Sequence, residues 1–130
     1  MKEETAKETG YILYSNGTVK DTKTGLEWKA GPDKNTSWEK ARAWVRRLNL
    51  DGGRWRMPTK DEIKSLYKAR TGTCNMTPLF KTTAWWVWSS ETKDSSYAWI
   101  FYFSGGYGYW LDRSTSDNLR AFAVRSRSDG

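Results

Sequence analysis

Helical periodicity is confined to two stretches of this chain, both between residues 36 and 72, and the pattern on either side is that of β-structure. In the first stretch Trp38, Ala41, Trp44, Val45 and Leu48 form one apolar stripe, and Asp51-Gly52-Gly53 ends it. Thr36 and Glu39 stand at the spacing of a capping box, in which each side chain satisfies an otherwise unpaired backbone N–H. Pro58, Thr59 and Glu62 repeat that signal, Ile63, Leu66 and Tyr67 make a second stripe, and Gly72 sits just past its end.

Upstream, residues 11–14 and 18–21 flank Ser15-Asn16-Gly17, a hairpin signal because Asn-Gly tolerates positive φ. A second turn at Lys23-Thr24-Gly25 leads into a strand over 26–29, and a loop follows over 30–35. Downstream, strands are predicted over 85–89, 98–103, 107–111 and 121–125, with a turn at Ser104-Gly105-Gly106 and polar loops over 90–96 and 112–118. A hairpin, two helices and an antiparallel meander in that order predict an α+β fold, with two helices packed on antiparallel β-sheets. Residues 1–9 read as a flexible charged tail and 10–130 as a single domain, a length that can bury one core but not two.

Histidine is absent. That removes Ser-His-Asp and Cys-His catalysis, imidazole metal sites and the usual general base at neutral pH. With Cys74 the only cysteine, neither a zinc site nor an intrachain disulfide is expected. Asp61 and Glu62 are adjacent on a helix start and point apart, and nothing makes Glu91 and Asp94 face each other across a glycosidase gap. A carboxylate hydrolase therefore ranks below a binding module, and no cofactor and no metal are expected. No apolar run is long enough to span a membrane. The opening MKEETAKETG lacks the apolar stretch of a secretory signal, so no localisation is assigned, and a cell-surface or phage-particle setting stays open.

The formal charge of +7 is concentrated, since residues 34–70 carry eleven Lys and Arg against four Asp and Glu. Lys40, Arg46, Arg47, Lys60, Lys64, Lys68 and Arg70 read first as solvated helix faces and second as a patch for phosphate or anionic glycans. No recognised nucleic-acid motif accompanies them, which leaves nucleic acid a minor alternative.

Five strings occur in order: Asp21-Thr22-Lys23-Thr24-Gly25-Leu26-Glu27-Trp28; Ser37-Trp38 with Ala41; Trp55-Arg56-Met57-Pro58-Thr59; Trp88-Ser89-Ser90; and Val124-Arg125. Together they resemble the bacterial Lcl C-terminal domain family over roughly residues 16–126. The resemblance implies a C-type-lectin-like fold with ligands bound over the C-terminal strands and loops. It implies either an adhesin-type domain that recognises glycans or a variable protein of a diversity-generating retroelement, whose C-terminal codons are rewritten at adenines. Ala121-Phe122-Ala123 stands where the family often has Val-Arg-Cys, and the Glu-Pro-Asn calcium–sugar motif of animal C-type lectins is absent.

Eleven of the twenty aromatic residues fall within 85–110. Alternation places Trp99, Phe101 and Phe103 on one strand face, with Trp99 and Phe103 expected in the core and Tyr102 turned outward; Trp86 and Trp88 are also expected in the core. The candidate ligand-binding residues are Tyr97, Tyr102, Ser104, Gly105, Tyr107, Tyr109, Trp110, Asp112, Ser114, Ser116, Asp117 and Asn118. Tyrosine supplies rigid contact area at little torsional cost while Ser, Gly and Asn adapt, the mixture antibody loops use. Rewriting adenines in AAC codons yields Tyr, Ser, Asp, Gly and Asn among its products but never Trp, so Trp110 would be fixed or derived from another codon. The expected partner is a protein or glycan on a cell or particle surface, and a fixed glycan-binding adhesin-type domain is the alternative.

Overall fold

The computed structural model describes residues 3–126, and Met1, Lys2 and 127–130 lie outside the described residues. In order the elements are β1 (Glu4–Glu8), β2 (Tyr11–Tyr14), β3 (Val19–Asp21), β4 (Leu26–Ala30), α1 (Trp38–Arg47), α2 (Lys60–Lys64), β5 (Trp86–Lys93), β6 (Tyr97–Tyr102), β7 (Tyr107–Asp112), β8 (Leu119–Arg120) and β9 (Phe122–Ser126). They build an α+β fold of two sheets, one ordered β1-β2-β3-β4-β9 and the other β7-β6-β5-β8. All pairings are antiparallel except β5 with β8, where Trp86 and Val87 lie beside Leu119 and Arg120 in parallel.

Local chemistry explains most element ends. In the β2–β3 hairpin only Gly17 takes positive φ, +88°, and Asn16 instead accepts hydrogen bonds from the Thr18 N–H and hydroxyl. The α2 capping box forms as expected: the Thr59 hydroxyl accepts from Glu62 N–H, and the Glu62 carboxylate accepts from Thr59 N–H. The first helix starts one residue later than expected, because Ser37 rather than Thr36 caps it by accepting from Lys40 N–H at 3.3 Å. Thr36 is occupied elsewhere: its hydroxyl donates to Lys34 O, and its own carbonyl accepts from the Trp88 indole.

Two further expectations are corrected. The charged segment read as part of a flexible tail forms β1, which pairs with β2 from Glu4↔Tyr14 to Glu8↔Tyr11. It is an edge strand, and charged side chains suit an edge because they discourage pairing with other chains. The loop expected over 90–96 is shorter, since β5 continues to Lys93 through a bulge between Trp88 and Thr92. That bulge frees backbone groups for both helices: Ser89 O accepts from the Trp38 indole at 3.0 Å, and Ser90 N–H donates to Pro58 O.

The second sheet is covered on both sides. On one side Val87, Trp99, Phe101 and Phe103 join Ile63 and Leu66 from the α2 region, together with Trp28, Phe80, Phe122 and Val124. On the other Trp88, Ala98, Ile100 and Leu119 pack under Trp38, Ala41 and Val45 of α1. β9 serves both cores, Phe122 and Val124 in the first and Ala123 in the second. Each large apolar side chain buried this way contributes roughly 1.5–3 kcal/mol.

A buried charge joins the sheets to the 50–53 turn. Arg125 is 2% exposed; it donates to Glu27, to Asp51 and to the carbonyls of Leu50, Asp51 and Gly53, and it stacks 4.2 Å from the Trp55 ring. Arg125→Ala removes this whole set and is expected to cost about 3–5 kcal/mol in urea denaturation. Arg125→Lys, which keeps the charge but not the planar fork, should recover only part of it.

Candidate functional site

The described chain exposes four large hydrophobic side chains, and all four belong to β6 or β7: Tyr97 (43%), Tyr107 (55%), Tyr109 (37%) and Trp110 (37%). The β6–β7 register, Tyr102↔Tyr107, Ile100↔Tyr109 and Trp99↔Trp110, decides which of them can act together. Tyr102, Tyr107 and Tyr109 share the α1 side of the sheet, whereas Tyr97, Trp110 and Asp112 share the α2 side. The predicted site is therefore not one surface but two, on opposite faces of the same hairpin.

On the α1 side the tyrosines continue into a ledge. Trp86, opposite Tyr102 in the β5–β6 register, stacks on it with ring centroids 4.7 Å apart and planes 16° apart. Tyr107 meets Tyr102 edge-on at 5.6 Å and lies 6.0 Å from Tyr109, whose hydroxyl accepts from the Trp86 indole. Trp86 was expected in the core beside Trp88; the structure buries Trp88 fully and leaves Trp86 half-buried in the ledge. Alternation along β5 does not show this, because the β5–β6 register is what sets Trp86 beside Tyr102. Ser104 and Gly105 form the turn at the end of this row, where Gly106 N–H donates to Tyr102 O. A Cβ on Gly105 would stand 2.4 Å from the Tyr107 ring, which is exposed and free to swing aside.

The remaining candidates follow β7. Asp112 accepts from the backbone and hydroxyl of Ser114, bonds that hold its carboxyl below the usual carboxylate range. Arg113 then pairs with Glu39 of α1, stacks 4.0 Å over the Trp38 ring and accepts from Trp38 N–H through its carbonyl. Ser116 O accepts from Leu119 N–H, and Asn118, at φ +64°, donates to the Asn35 side chain. With Asp117 exposed between them, the 113–118 loop runs past the start of α1 to β8, whose Leu119 adjoins Trp86. Its end reaches Trp86 through Leu119, whereas Asp112 and Ser114 lie with Ser95 and Ser96 at the end of the hairpin away from Tyr102 and Tyr107; Tyr97, on the other face, does not take part in the ledge.

The α2 side is different in chemistry. The Trp99 ring crosses β7 at Gly108, where a Cβ would sit 1.9 Å from it. Lys60 Nζ lies 5.5 Å from the Trp99 ring and 4.9 Å from Trp110; Lys64 is 5.7 Å from Trp99 and Lys93 5.9 Å from Trp110. The basic helices thus do not make one patch, since Lys40 and Arg47 of α1 and Lys60 and Lys64 of α2 lie on opposite sides of the sheet. Lys40 and Arg47 instead line a cavity of about 530 Å³ with Pro32, Lys34, Asn35 and Trp44.

Of the carboxylates considered for hydrolysis, Glu91 and Glu62 have structural partners. Glu91 accepts from Lys60 N–H at the start of α2, whereas Asp94 occupies a turn at φ +56°. Burial pushes the Glu62 carboxyl up, but two hydrogen bonds from Arg56 at 2.7 Å and those at Thr59 outweigh it, and its pKa lies below the usual range. Among the described residues no three His, Cys, Asp or Glu side chains converge to hold a metal, and no helix is long and apolar enough to cross a membrane.

The model of the Lcl C-terminal domain family matches residues 17–125. The chain belongs to the Lcl C-terminal domain family. Among curated proteins no relative matches it. In this Lcl C-terminal domain the matched span takes in the ledge, both helices and the loop that borders them, and it leaves out all of β1 and β2.

One acid holds β8 to the segment before β5. Asp33 accepts from Arg120 at 2.8 Å and from Thr83, and these bonds bring its pKa from 3.8 to about 2. The depressed folded-state value means the bond stabilises the fold above the unfolded pKa and is lost as pH falls through about 2. Between pH 4 and 2 the wild type should therefore lose stability more steeply than Asp33→Asn, measured as urea midpoint against pH. Gly108→Ala should fail to reach the wild-type melting temperature by a wide margin, because neither Trp99 nor the β7 backbone can yield.

Proposed function

We propose that this Lcl C-terminal domain is a non-enzymatic ligand-binding module of C-type-lectin-like fold whose contact surface is the Trp86–Tyr102–Tyr107–Tyr109 ledge. The observation that carries this reading is the exposure of Tyr107 and Tyr109 in one row with Tyr102 and Trp86, on a sheet whose β5 and β6 are otherwise packed on both faces. Exposed aromatic clusters of this kind on a rigid frame are interaction sites. Ser104 and Gly105 in the turn after Tyr102, and Asn118 just before the Leu119 that pairs with Trp86, give the ledge small, adaptable polar neighbours. Tyr102, Tyr107 and Tyr109 are among the residues that adenine rewriting can place, while Trp86 and Trp110 are not. The reading we favour is a surface diversified against protein ligands, as in the variable proteins of diversity-generating retroelements.

A fixed glycan-binding surface has one observation in its favour. The 530 Å³ cavity beside α1 presents Trp44 together with Lys34, Lys40 and Arg47 and is lined by no acid, a combination suited to an anionic sugar. The two readings separate genetically. A near-copy of the DNA encoding about residues 86–125, differing only at adenines and lying near a reverse-transcriptase gene, is expected for the diversified surface. Complete flanking sequence without such a copy points to the fixed one.

The ledge itself is tested by substitution. Tyr107→Ala and Tyr109→Ala should each change stability by less than about 1 kcal/mol, since Tyr107 is 55% and Tyr109 37% exposed and neither belongs to a buried core. Together they should abolish ligand capture. Phe101→Ala, by contrast, should cost about 3–5 kcal/mol. Unfolding of the tyrosine variants would make the ledge part of the core and end this reading.

A further inference from the structure

β7 is the last strand of its sheet, with no strand on its outer side among the described residues. Arg113 N–H donates to Ser96 O at 2.9 Å. The alternation of an antiparallel ladder then commits Tyr107, Tyr109 and Leu111 to β6 and turns the N–H groups of Gly108, Trp110 and Asp112 outward. The carbonyls of Gly108 and Trp110 face outward with them, whereas Asp112 O accepts from Thr115 N–H. Such an edge is a template for another strand, and most of the usual defences are missing: β7 has no proline, no lysine and no bulge in its register, and its one charged residue, Asp112, stands at its last position on the α2 face, where Ser114 N–H and hydroxyl bond its carboxylate.

The two faces beside this edge differ in a way that specifies what could pair with it. On the α1 side stand Tyr107 and Tyr109, backed by Trp86 and Tyr102, with no charged residue in the row. On the α2 side Lys60, Lys64 and Lys93 gather round Trp99 and Trp110. Lys60 is 3.8 Å from Glu91, while Lys64 and Lys93 have no carboxylate within ion-pair distance among the described residues. We infer that the β7 edge binds an extended peptide segment by strand addition, one that alternates acidic residues toward the lysines with apolar residues toward the tyrosines. Backbone hydrogen bonds would hold it, and the alternation would set its register.

A second copy of this chain is a poorer occupant. Two β7 edges paired antiparallel keep like faces on the same side, so the lysines of both copies would meet on one surface. An acidic strand meets them with opposite charge. The inference goes beyond the ledge, because it rests on the backbone of β7 and on the lysines of the other face.

The test is a titration of the full ¹⁵N-labelled chain with three capped peptides: (Val-Glu)₃, (Val-Lys)₃, and (Val-Glu)₃ N-methylated at alternate residues. The expected result is saturable shifts at the amides of Gly108, Trp110 and Asp112 with the glutamate peptide, none with the lysine peptide, and at least about tenfold weaker binding after N-methylation. Lys64→Glu combined with Lys93→Glu should reverse the preference. No saturable shift with the glutamate peptide, equal binding of the N-methylated or lysine peptide, or a preference unchanged by the double charge reversal would overturn strand addition at β7.

Discussion

β6 buries both of its faces, and the arrangement of the rest follows from that. Phe101 and Trp99 belong to one core and Ala98 and Ile100 to the other, so α1 and α2 must lie on opposite sides of the same strand. Only its ends, Tyr97 and Tyr102, are left partly exposed. The other exposed aromatics lie one strand further out on β7, at Tyr107, Tyr109 and Trp110. Gly108 marks the boundary: it lets the Trp99 ring close the α2-side core directly against the β7 backbone.

Hydrogen bonds from buried indoles and guanidinium groups hold the helices and loops to this double core. Trp38 and Trp88 donate in opposite senses, one from α1 to the β5 bulge and the other from β5 to the segment before α1. Arg120 ties Asp33 and Asn35 to β8, and Arg125 ties the 50–53 turn to β9. Apolar contact fixes how much area is buried, whereas these directed bonds fix which backbone groups meet. The Trp28 indole N–H, at the centre of the first core, has no hydrogen-bond partner among the described residues. Its packing against Phe80 and Phe122 is what holds it there.

What was legible in the sequence was what local chemistry decides. The Thr59–Glu62 capping box, the Gly17 turn and the inward alternation of Trp99, Phe101 and Phe103 need only neighbouring residues, and they stand where expected. The errors lie where a distant partner decides. Thr36 lost the cap to Ser37 because its carbonyl is taken by Trp88, 52 residues away. β1 looks like a tail because an edge strand is charged whether or not it is paired. The candidate site divided for a similar reason: period-two alternation within β6 separates Tyr102 from Tyr97 and Trp99, but only the β6–β7 register puts Trp110 behind the sheet, and only the β5–β6 register brings Trp86 into the ledge.

The central claim is that recognition and stability are borne by different residues of one hairpin. Saturation mutagenesis over residues 97–118, with each variant scored for folding by protease resistance, measures this directly. Tyr107, Tyr109, Ser104, Ser114 and Asp117 should accept most substitutions, while Ala98, Trp99, Ile100, Phe101, Phe103 and Gly108 should accept almost none. If Tyr107 and Tyr109 prove as intolerant as Phe101, the ledge is part of the core and the account is wrong.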